Sequence, residues 1–200
     1  MKLILFFFTL ILSFLLFPTN RESYYFDYLI KYKNGETGYI SNYCSNSIDS
    51  DYFVTGTDNF GRLIDNKSNV INCFELINST NNVNFIFKDS FLKPKSKYKK
   101  AYFIENRVEV LDENIKKITV MAFENNKKKK YSYKIILHLD NTEIFASKII
   151  LNNFFHGNFT NLEIENMKGI PFQIEYFHEN GIYSREKLIQ IKAINTTLKL

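Results

Sequence analysis

Short runs in which every second residue is apolar recur along most of this chain, and that period leaves little room for anything but a sheet. IPFQIEYF, YSYKIILHL, KITVMAFE and VNFIFK each divide into an apolar and a polar set, because successive side chains of an extended strand point to opposite faces. The runs are bounded by Asn, Asp, Gly and Lys turns at a spacing of roughly 8 to 12 residues, which predicts an antiparallel meander rather than strands joined by helices. The remaining candidate strands are GYISNYC, DYFVTG, GRLID, VINCFELI, KAYFIENRVEVL, EIFASKIIL, NLEIE and EKLIQIKAI. YYFDYLIKY, Tyr24 to Tyr32, fits a helical and a strand period and is read as a strand, while DENIKKITVM stands between a strand and a helical turn capped by Asp112.

Composition adds what must cover that sheet. With 20 Phe, 13 Tyr and 0 Trp, alternate aromatic positions give the sheet a thick apolar face that needs another layer, or the sheet itself, over it. Helix formers are scarce, so the expected fold is mainly β. It is a single, strongly curved antiparallel sheet, open or half-barrel, with few or no helices beyond the N-terminal segment.

The 200 residues, 45% hydrophobic and 24% charged, have the balance of a folded domain. Residues 1–20 read as a signal peptide: Lys2, then the apolar LILFFFTLILSFLLF, then Pro18. That apolar run is shorter than the roughly 20 residues a membrane span requires. Residues 21–200 are expected to form one β-rich domain, large enough to fold on its own core without metal or disulfide. The net charge of +5 is a mild excess. It is compatible with an anionic envelope surface as partner, while nucleic acid would call for a concentrated basic face with stacking aromatics.

Few residues suggest chemistry. Cys44 and Cys73 are the only cysteines; in an exported chain they form a candidate disulfide, with two small buried thiols as the other reading. His138, His156 and His178 lie in different runs without metal-ligand spacing. No GxSxG, SxxK, HExxH or CxxC occurs, and 7 Gly leave no phosphate-cradling loop, so an enzyme reading has no starting residue and no cofactor is expected. Two basic connections are candidate anionic-surface loops: NNKKKK with Lys127, Lys128, Lys129 and Lys130, and KPKSKYKK with Lys97, Lys99 and Lys100. They would grip lipid head groups or polyanionic glycans, or serve as solvated tips that keep strand edges apart.

Near the C-terminus, Gly169, Ile170 and Pro171 open the run Phe172-Gln173-Ile174-Glu175, followed by the turn His178-Glu179-Asn180-Gly181 and a strand through Ile189 and Ile191 to Ile194. Alternation assigns Ile170, Phe172, Ile174 and Tyr176 to one apolar wall and Pro171, Gln173 and Glu175 to the other side. This hairpin resembles the closing hairpin of the lipoprotein-carrier-like superfamily of exported proteins, including the GLPGLI-type proteins. KITVMAFE and YSYKIILHLDNTEIFA stand where that superfamily has its central meander, and Phe172 and Gln173 stand where the GLPGLI signature has Gly and Leu. The resemblance implies an open, curved sheet with an apolar concave side, and export to the periplasm or surface of a diderm bacterium. Carriage of lipid or lipoprotein, known for some members, is what it implies about partners.

Two functions are therefore expected. One is a non-enzymatic carrier holding an acyl chain or lipoprotein in an apolar concavity lined by Phe172, Ile174 and Tyr176. The other is an envelope interaction domain with a filled core that makes contact through its edges or basic loops. A pocket of about 300 Å³ or more with an apolar lining would favour the first.

Overall fold

A computed structural model describes residues 23–49, 51–68, 70–79, 82–93, 103–123, 130–140, 142, 150–151, 168–178, 181 and 183–200. They form eleven strands: β1 (Ser23–Asn34), β2 (Ile40–Ser45), β3 (Tyr52–Gly56), β4 (Phe60–Asp65), β5 (Val70–Asn78), β6 (Val83–Leu92), β7 (Phe103–Val110), β8 (Ile115–Phe123), β9 (Tyr133–Asp140), β10 (Pro171–His178) and β11 (Tyr183–Lys199). All belong to one antiparallel sheet in the order β6-β5-β4-β3-β2-β1-β11-β10-β9-β8-β7, and the sheet is not closed.

Consecutive strands lie side by side, as a meander predicts, except that β6 and β7 stand at opposite edges and the first strand pairs with the last at a central seam. YYFDYLIKY is strand β1, and DENIKKITVM resolves as a turn followed by β8, with the Asp112 carboxylate accepting from the Asn114 amide at 2.7 Å. Ile150 and Leu151, expected in a strand, are helical instead and buried in a core. The rest of EIFASKIIL and all of NLEIE lie outside the described residues.

The edge strands β6 and β7 follow one another in sequence. A chain from Leu92 to Phe103 reaches at most roughly 40 Å, whereas the outer strands of a flat sheet of this size would lie about 48 Å apart. The sheet therefore bends, and its two cores lie on opposite faces. One unites Tyr24, Phe26, Leu29 and Val54 with Phe74, Leu76 and, at the far end of β11, Ile194 and Leu198. The other sets Ile30, Tyr32, Tyr43 and Phe53 against Ile118, Ile135, Leu137 and Ile174 of β8 to β10.

Strand β1 serves both cores because its register on β11 shifts between Phe26 and Tyr28. Before the shift Tyr24 and Phe26 face the first core; after it Leu29 continues that face while Ile30 and Tyr32 face the second. Each large side chain buried this way contributes roughly 1.5 to 3 kcal/mol. Polar pins hold the N-terminal strands together: Asp58, in the β3–β4 turn, accepts from Lys31 Nζ of β1 at 2.6 Å and Asn42 Nδ2 of β2 at 3.0 Å. Those two donors hold its carboxyl below the usual carboxylate range.

Candidate functional site

The first core is wrapped by seven consecutive strands of the sheet, β6 through β1 and then β11. The two ends of this set meet: the Val83 amide at the start of β6 donates to Thr196 Oγ1 of β11 at 3.0 Å, and Lys192 Nζ donates to the Ser79 carbonyl at 2.5 Å. No backbone ladder joins β6 to β11. The reason is direction. Six antiparallel steps separate the two strands in the sheet order, so they run parallel to each other and would have to form a parallel pair in an otherwise antiparallel sheet.

A cleft of about 320 Å³ lies at this junction, lined by Asn82 to Phe85 of the β6 side and Asn195 to Lys199 of β11. Its lining is mostly polar, drawn from Asn, Thr and strand backbone. Beside it, β11 pairs with β1 along nearly its whole length but with β10 only over Tyr183 to Lys187. From Leu188 onward no other described strand pairs along that flank.

A second polar cluster sits in the other core. Tyr32, Tyr43, Tyr176 and Glu186 occupy one face of β1, β2, β10 and β11, with the Tyr32 and Tyr43 rings edge to face at 5.9 Å. Burial pushes the Glu186 carboxyl up to about 7. Burial, joined by Tyr43 and Glu186, also raises Tyr32 well above its ordinary value, and burial with Glu186 does the same to Tyr176. Tyr32 Oη and Glu186 Oε2 have no hydrogen-bond partner among the described residues. Sequence alternation missed Glu186 because β11 has an extra residue, Ile189, against β1 between Lys31 and Tyr32, which turns Glu186 and Leu188 inward and leaves Ile189 49% exposed.

The expected site residues fall into three groups. Ile174 and Tyr176 line the second core, whereas Phe172 does not: a register shift between Pro171 and Gln173 buries Pro171 against Leu139 and leaves Phe172 38% exposed beside the His138 ring. Cys44 and Cys73 are buried free thiols. They stand on β2 and β5, three strand spacings or about 14 Å apart in the sheet, and the register sends them to opposite faces, so a bridge is excluded by geometry. Lys130 is exposed, and Lys97, Lys99, Lys100, Lys127, Lys128 and Lys129 lie outside the described residues, as does His156.

His138 Nε2 approaches Glu175 Oε1 at 3.7 Å on the face away from the second core, and the His178 ring packs on Tyr133 with centroids 5.0 Å apart. Among the described residues no group of three or more His, Cys, Asp or Glu side chains could hold a metal ion, and no helix is long and apolar enough to cross a membrane. No family model matches the chain, and no curated protein matches it.

Proposed function

We propose that this protein is an exported, non-enzymatic interaction domain of the cell envelope that binds protein partners through the open edges of its half-barrel sheet. The observation that carries this reading is the outward character of the edge strands. On β6, Phe87 is 56% and Leu92 75% exposed, and Val110 on β7 is 78% exposed. Soluble proteins blunt bare edges with charge, bulges or cover, and apolar edges left open are pairing surfaces. Both apolar faces of the sheet are meanwhile occupied by the protein's own aromatic and aliphatic side chains. Export rests on the Lys2 to Pro18 leader.

Carriage of an acyl chain or lipoprotein is the second reading, favoured by the apolar interior that seven strands surround. It needs an apolar cavity, and the cleft at the β6–β11 junction has a mostly polar lining of Asn, Thr and Lys199, with Val83, Phe85 and Leu198 among them. Photo-crosslinking residues at Phe87 and Phe91 of β6, with one at Ile48 in an exposed loop as control, separate the two in cells of the source organism. Protein adducts from the β6 positions and none from Ile48 are expected. Lipid adducts alone would favour carriage, and no adduct at all would sink both.

A further inference from the structure

We propose that Lys31 and Asn42 form a site of self-catalysed covalent modification: an isopeptide bond joins Lys31 Nζ to Asn42 Cγ, ammonia leaves, and Asp58 carries the protons. The two residues stand directly opposite each other on β1 and β2, where paired side chains begin about 5 Å apart. They continue the row of Leu29 and Cys44 at the rim of the first core. Asn42 is 2% exposed and the Lys31 side chain 17%. On its other side Asn42 pairs with Gly56 of β3, which has no side chain to stand between Asn42 and the Asp58 carboxylate.

One carboxylate oxygen touches both reaction partners. Lys31 Nζ donates to Asp58 Oδ1 at 2.6 Å and Asn42 Nδ2 donates to the same atom at 3.0 Å, distances over which a positioned carboxylate moves protons. The nitrogen that attacks and the nitrogen that leaves thus meet on one base. Asn42 Oδ1 is buried without a hydrogen-bond partner, so the amide is held through its Nδ2 and its carbonyl is not committed to the fold. Asp58 is ionised at rest, because both donors hold its carboxyl low, and it acts first as a base. Oδ1 takes a proton from the Lys31 ammonium, and the freed lone pair attacks Asn42 Cγ. The Cγ–Nδ2 bond then breaks, and Nδ2 departs as ammonium with the two protons shed by Nζ. One ammonium and one amide become one amide and one ammonium, with no oxidant or cofactor consumed. The Asp58 side chain is 51% exposed, which gives the product a way out, while burial of Asn42 keeps water from Cγ and favours aminolysis over hydrolysis. The bond ties β1, which serves both cores, to β2 in a protein whose two cysteines stand too far apart to pair.

The test is a tryptic map, read by tandem mass spectrometry, of the full folded protein aged after purification. A branched peptide joining Lys31 to Asn42 is expected, lighter by one ammonia than its two segments and uncut at Lys31. Lys31→Arg keeps a positive charge beside Asp58 but offers no nucleophilic amine, and should retain the full mass. Asp58→Asn, at a half-exposed turn position that leaves the fold intact, should slow bond formation at least about a hundredfold. A folded wild-type protein that keeps its full mass would overturn the proposal. So would ammonia loss located at Asn34-Gly35 or Asn180-Gly181, where a backbone imide forms instead, or an Asp58→Asn variant that crosslinks as fast as the wild type.

Discussion

Glu186 is a carboxylate placed among tyrosines in an apolar core, and its titration is a stability term. Its folded value of about 7 lies above the roughly 4.3 of an unfolded chain, so the folded state holds the proton more tightly. That preference favours the fold fully below the unfolded value and is lost as pH rises through about 7, with a ceiling of roughly 3 kcal/mol. Glu186→Gln should accordingly raise stability by about 1 to 3 kcal/mol at pH 8 and leave it nearly unchanged at pH 4, as read by urea denaturation at both. A difference independent of pH would mean that burial of the charge is not its origin. Cys44 behaves similarly: burial pushes its thiol up to about 12, so iodoacetamide should leave it unmodified in the folded protein and alkylate it on unfolding.

At the scale of the element, register shifts decide which side chains a strand buries. In β10 the shift at Pro171 separates Ile174, fully buried, from Phe172, turned outward. Ile174→Asp should cost more than about 4 kcal/mol by placing an unpaired charge in the core, while Phe172→Asp should change stability by no more than about 1 kcal/mol. Thermal melts of the two variants check this, and equal losses would show that the shift is misplaced. The β3–β4 hairpin depends on two facing glycines: a Cβ on Gly56 would lie 1.8 Å from the Phe60 carbonyl oxygen, so the backbone must move to admit one. Gly56→Ala should lower stability by at least about 2 kcal/mol, measurable by the same melts.

Across the whole molecule, the β1–β11 seam joins two meanders and both cores. Its pairing brings Ser23 beside Lys199, nearly the full length of the chain apart, and such non-local contacts form late because loop closure must precede them. Refolding followed by stopped-flow fluorescence of the tyrosines should therefore fall in the millisecond-to-second range typical of β-rich folds. Deleting residues 195–200, which removes Leu198 and Thr196 from the first core, should destabilise the protein as a unit. A truncated chain that melts like the full one would mean that β11 is dispensable beyond its middle.

Period-two alternation by itself determined that this chain is β, where ten of the expected strands run, and that they follow one another as a meander, because strand polarity is a local property of alternating side chains. The seam between β1 and β11, the two faces carrying separate cores, and the inward turn of Glu186 were decided only by tertiary structure. Each depends on which strands pair and where one strand has a residue to spare, and a one-residue slip exchanges the two faces of everything beyond it. The same limit hid the candidate site. An even or odd count of strands around a core is not written in any one of them, yet it is what leaves β6 and β11 side by side, parallel and unjoined.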